Sequence, residues 1–195
     1  MTARSLAGFL AVAALAAAFS SASAQDVKGR PAQKPVKADL AAPRPAPEMA
    51  QLKAFDGSWT CEGTMSPSPF GPGGKTTSTV RSRTDLGGFW QSGTVTGKSP
   101  GLPPLEGQFR ATYDPVGKRL VMLWVDNMGG WSHTTAPDWK GDTAVFAGDS
   151  FMAGQRFQAR DTFTKGPGTL RHSWEIEVDG RWAPLGDETC RKETR

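Results

Sequence analysis

From about residue 57 to its end, the chain alternates apolar and polar side chains with a period of two. In Thr169–Val178, Leu170, His172, Trp174, Ile176 and Val178 share one side, and Arg171, Ser173, Glu175 and Glu177 the other. In Gln155–Thr164, Phe157, Ala159, Asp161 and Phe163 oppose Arg156, Gln158, Arg160 and Thr162. In Gly130–Pro137, Trp131, His133 and Thr135 fall together, and this side is taken as the inward one. Similar segments are read at Gly57–Thr64, Lys75–Thr84, Phe89–Thr96, Leu105–Tyr113, Lys118–Asp126, Thr143–Asp149 and Arg181–Arg191. Turn residues separate them. Asp114-Pro115-Val116-Gly117 presets φ at proline and accepts φ > 0 at glycine, and Asp179-Gly180 is the strongest hairpin signal. Only Glu48–Phe55, with Met49 and Leu52 three apart, has room for one or two helical turns. About ten regularly spaced strands with almost no helix predict an all-β sandwich or barrel.

The two cysteines decide between these. Cys61 lies in the first strand and Cys190 in the last, so a bond between them ties the start of the sheet to its end, as in a closed barrel. In the chain-entropy description, closing so long a loop contributes about 4–5 kcal/mol. The compartment favours that bond. Arg4 precedes an apolar run from Leu6 to Phe19, and Ala22-x-Ala24 meets the small-residue cleavage rule before Gln25. Residues 1–24 are therefore expected to be a cleavable signal peptide, with periplasmic or secreted destination. The run is shorter than the roughly twenty residues of a membrane span, and no transmembrane segment is expected in the mature protein. In an oxidising compartment two thiols pair more often than they stay free.

Residues 25–47 contain Pro31, Pro35, Pro43, Pro45 and Pro47 among Ala and Lys, a composition for solvated spacer and not for a core. Residues 48–195 make the barrel domain. The formal charge of +4 does not indicate nucleic acid, because from Met49 onward seventeen basic residues meet sixteen acidic ones. A nucleic-acid surface needs clustered positive charge.

Leu52-x-x-Phe55-x-Gly57-x-Trp59-x-Cys61-x-Gly63 resembles the opening Gly-x-Trp of lipocalin-like, or calycin, barrels. Thr84-Asp85-Leu86-Gly87-Gly88-Phe89-Trp90, Gly107 through Tyr113-Asp114, and Trp124-Val125-Asp126-Asn127-Met128 are similar to one bacterial family of uncharacterised exported proteins within that group. The likeness covers roughly residues 50–193, and order and spacing carry it. It implies a closed antiparallel barrel of about ten strands around a cavity, with Trp59 plugging the closed end. It supplies no catalytic residues. A related branch of such barrels binds haem through a histidine inside the barrel.

Candidate chemistry follows from the inward face. Trp90, Trp124, Trp131 and Trp174 are candidates to line a site for a small hydrophobic or aromatic ligand, with His133, Asp161 and His172 orienting it. The competing readings are a core filled by large rings and a structural ion pair at Asp161, which as a buried carboxylate needs an arginine or histidine partner. His172 as a haem ligand is a further alternative; otherwise neither cofactor nor metal is expected. Val145-Phe146-Ala147-Gly148-Asp149-Ser150-Phe151 imitates the nucleophile segment of lipase-like hydrolases, but Ser150 stands late in all-β sequence with only His172 downstream. Gly71-Pro72-Gly73-Gly74-Lys75 lacks the spacing of a phosphate loop. Lys98–Pro104 is expected at the barrel mouth. The leading expectation is a non-catalytic carrier of a small apolar molecule, and the alternative from another class is an envelope interaction domain with a filled barrel.

Overall fold

The computed structural model describes residues 42–194. The proposed signal peptide and most of the spacer lie outside the described residues. A 3₁₀ helix, Pro47–Phe55, leads into ten strands: β1 (Gly57–Met65), β2 (Gly74–Asp85), β3 (Trp90–Lys98), β4 (Leu105–Asp114), β5 (Arg119–Asp126), β6 (Trp131–Ala136), β7 (Thr143–Met152), β8 (Gln155–Gly166), β9 (Thr169–Val178) and β10 (Arg181–Lys192). Each pairs antiparallel with its neighbours in sequence, and β10 returns to pair with β1, so the barrel is closed. Closure leaves no open sheet edge.

Cys61 stands directly opposite Cys190 across the β1–β10 seam, and the two form a disulfide. Such a bond is the chemistry of an oxidising environment. Among the described residues no helix is long and apolar enough to cross a membrane.

Two tight hairpins have φ > 0 at both central residues, Asp179-Gly180 between β9 and β10 and Ala153-Gly154 between β7 and β8. Their twist matches that of the strands they join. The second was not legible, because alanine is a poor signal for a left-handed position.

One end is sealed. The 3₁₀ helix lays Leu52 and Phe55 across it, both buried. Trp59 Nε1 donates to the Phe55 carbonyl at 3.1 Å, which places the tryptophan as the expected plug. Around Phe55 the rings of Phe109, Phe163 and Trp139 stand at 6.0, 5.1 and 6.0 Å between centroids, the first two edge-on. Leu120, Ala111, Phe146 and Ala136 complete this floor at 0 % exposure. Three of its polar members join one another: Gln91 Nε2 donates to Asp56 Oδ1 at 2.7 Å and to Ser82 Oγ at 3.0 Å, and Ser82 donates to the Phe55 carbonyl.

At the opposite end the loops after β1 and β3 meet. Gly101 has φ +72, and a Cβ there would stand 2.9 Å from Pro72 Cγ. Phe70 of the first loop reaches Phe157 at 5.7 Å. The expected mouth loop thus lies against its neighbour across the rim.

Candidate functional site

The inward face of β8, β9 and β10 carries a polar cluster above the floor. Alternation along β8 sends Asp161 and Phe163 inward, and along β9 His172 and Trp174. Glu188 of β10 is the direct register partner of His172, and Trp174 that of Asp161. His172 Nε2 lies 2.9 Å from Asp161 Oδ1, and Nδ1 lies 3.3 Å from Glu188 Oε1. Ser78 of β2 donates to Glu188 Oε2 at 3.0 Å from across the seam. The ring is stacked on Phe163 at 4.3 Å and 7°, with Trp174 tilted against it at 5.0 Å.

These contacts set the protonation of His172. Burial alone would push the imidazole down, but hydrogen bonds and charge from Asp161 and Glu188 outweigh it and raise the group from 6.5 to about 9. Burial pushes the Glu188 carboxyl up, but the imidazole and the Ser78 hydroxyl leave it lowered overall. At neutral pH His172 is an imidazolium donating from both nitrogens. It has no lone pair free to act as a base. Ser78 donates to Glu188 and not to the imidazole, so no nucleophile is activated here.

Accessibility divides the lumen. The floor residues are sealed, whereas the side chains of His172, Asp161 and Glu188 keep 20 %, 23 % and 16 % of their surface accessible. Toward the mouth Phe157, Trp174 and Trp124 are half-buried as well. Room for the large rings comes from glycines. A Cβ at Gly186 would lie 2.5 Å from Trp174 Cζ2, and one at Gly107 2.2 Å from Trp124 Cη2. Trp124 Nε1 donates to Asp126 Oδ2 at 3.0 Å, and the other oxygen of Asp126 accepts from the backbones of Met128 and Gly130, fixing the rim. A β-bulge between Pro184 and Gly186 shifts the register of β10 and sets Gly186 opposite Trp174. Proline supplies no amide hydrogen to the ladder there.

Of the residues singled out in the sequence, Trp124, Asp161, His172 and Trp174 line the lumen. Three do not. His133 is exposed on the outer face, beside its register partners Leu123 and Asp149, so the inward reading of β6 is corrected. Trp131 lies on the same outer side, stacked on Phe151 at 6.1 Å with Arg156 over its ring. The inward positions of β6 are Ser132, Thr134 and Ala136, small residues that leave space for the rings opposite. Trp90 opens β3 at the closed end, where its neighbour Gln91 takes the buried inward position. Ser150 lies within β7 and donates to the Trp131 carbonyl at 3.3 Å, away from any histidine.

Glu188 and Ser78 are the residues missed. Counting back by two from Cys190 would have found Glu188. Cys61, Glu188 and Cys190 also bring ligand-type atoms within 4.8 Å of one another, but the disulfide leaves no thiolate for a metal. A surface concavity of about 920 Å³ lies elsewhere, lined among others by Arg81, Arg83, Arg110 and Lys192. It is open and has no enclosed polar centre.

Residues 44–164 match the family described as "Protein of unknown function (DUF1579)", more than half of the chain. The chain belongs to the DUF1579 family. No curated protein matches it. Among solved structures it is similar to the crystal structure of Rv2717c from M. tuberculosis, with TM-score 0.62 at 12 % identity, covering 77 % of this chain and 100 % of that one. It is also similar to EF1p2_mFAP2b bound to DFHBI, with TM-score 0.42 at 11 % identity, over 75 % and 99 % of the two chains. At such identities the first likeness concerns the barrel fold alone, consistent with the lipocalin-like resemblance of the DUF1579 sequence.

Proposed function

We propose that this DUF1579 protein is an exported barrel, periplasmic or secreted, that holds a small, mostly apolar or aromatic molecule non-covalently in its lumen. The observation that carries this reading is the contrast within the barrel: a sealed floor below, and above it half-accessible rings around a polar cluster. Ligand pockets combine apolar walls with a few placed polar groups in this way. Barrels of eight strands already hold one small ligand, and ten leave more room. The signal peptide and the disulfide support an oxidising compartment. Trp124 and Trp174 would form the walls; Asp161 and His172 would orient the ligand.

Haem ligated by His172 does not fit. Both ring nitrogens are taken by carboxylates, and an iron ligand needs a free nitrogen lone pair. Haem titrated into the protein is expected to give no Soret band that disappears in His172→Ala.

The test is a thermal-shift and tryptophan-fluorescence screen of apolar and aromatic molecules, joined to mass spectrometry of ligands retained from the native host. A saturable response weakened in Trp174→Ala supports the carrier. A flat response across the screen favours the filled interaction domain.

A further inference from the structure

The charge at the polar cluster does not balance locally. Asp161 and Glu188 are two carboxylates, and the imidazolium between them supplies one compensating charge. The lysines and arginines on the inward side stand at the two ends: Lys165 Nζ is 4.7 Å over the Trp139 ring and Lys192 Nζ 5.2 Å over the Trp59 ring at the closed end, and Arg181 pairs with Val178 at the mouth. Asp126, at the rim, adds negative charge rather than removing it. Asp161 uses Oδ1 on His172, and its Oδ2 receives no donor among the described residues.

A hydroxyl adds a second, independent sign of an absent partner. The side-chain oxygen of Thr76, a residue 8 % exposed, is buried with no hydrogen-bond partner; Thr134 Oγ1 and Trp139 Nε1 are likewise unpartnered, but within the packed core. Thr76 points into the lumen two positions from Ser78, opposite Gly63, which itself faces Glu188. Buried polar groups of this kind are normally satisfied, and an uncompensated charge in a low-dielectric enclosure draws an opposite one. The ring of Trp174 beside the cluster offers a π-face suited to a cation.

We propose that the lumen takes a cationic amphiphile, an aromatic or alkyl amine, with its ammonium group against Asp161 and its hydrocarbon along Trp174, Phe157 and Trp124. This rests on the carrier reading and narrows it from apolar molecules in general to amines. An anion of the same shape is rejected by the two carboxylates.

Calorimetry on the full chain with matched probes tests it: 2-naphthylmethylamine, 2-naphthylmethanol and 2-naphthoate, with octylamine, octanol and octanoate beside them. The amine of each set should bind at least tenfold more tightly than the alcohol, and the carboxylate most weakly. Asp161→Asn should cut the amine's advantage over the alcohol about tenfold; the wild-type ranking alone decides if that variant does not fold. If the alcohols or carboxylates bind as tightly as the amines, the charge inference falls and the carrier reading stands. If no probe gives saturable heat, both fall.

Discussion

The floor and the lumen above it are built from the same residue types to opposite ends. At the floor, Phe55, Phe109, Phe163 and Phe146 meet ring to ring, and the polar groups of Gln91, Asp56 and Ser82 satisfy one another. In the lumen, Trp174 and Trp124 lie against glycines, and the polar groups form a cluster that keeps free capacity. The floor is a core in the ordinary sense, closed by packing. The lumen is held by charge and hydrogen bonds across three strands and the β1–β10 seam. Aromatic content alone does not separate the two; what surrounds each ring does.

The floor should show the largest effect of substitution. Phe55→Ala removes the ring that joins helix and barrel, and should destabilise by about 3–5 kcal/mol, read by urea denaturation, with little change in the pH dependence of stability. His172→Ala leaves two facing carboxylates without their cation and should cost a comparable amount, about 3–5 kcal/mol. Unlike the floor variant, it should also abolish an alkaline transition. Equal pH profiles in the two variants would erase the distinction between the regions.

Removing the disulfide with Cys61→Ala and Cys190→Ala should lower stability by about 2–5 kcal/mol. Because β1 and β10 remain paired along their length, the spectrum of a folded β protein should persist.

The pH dependence follows from His172. Its folded value is raised above 6.5, so the contribution is present in full below about pH 6.5 and is lost as pH rises through about 9. The loss amounts to about 3 kcal/mol. Glu188, lowered in the fold, gives its share above the ordinary carboxylate range and loses it as pH falls through its folded value. Both describe one interaction and are not summed. The smallest effect belongs to the outer wall: His133→Ala should change stability by no more than about 0.5 kcal/mol and leave ligand affinity unaltered.

The strand order, the closure and the cysteine pairing were legible in the sequence because each rests on local signals: period-two alternation, turn residues and the positions of two thiols. Asp161 and His172 were legible for a related reason, as polar intrusions on apolar faces. The face of β6 was not. Trp131 and His133 look like lumen residues by type, yet the barrel puts Ser132, Thr134 and Ala136 inside, where large rings from other strands need the space. Size matching across a closed barrel is a property of all its strands together, and one strand does not display it. Read forward from Arg181, the alternation of β10 is broken by the bulge between Pro184 and Gly186; only counting back from Cys190 puts Glu188 inside.

The barrel's polar centre is an imidazolium clamped between two carboxylates. Nitrogen-15 NMR of the His172 side chain across pH 6 to 10 reads it directly. Both ring nitrogens should carry protons at neutral pH, and the transition should come near pH 9 and move sharply downward in Asp161→Asn. A His172 ring that loses its proton at or below pH 6.5 would contradict the clamp.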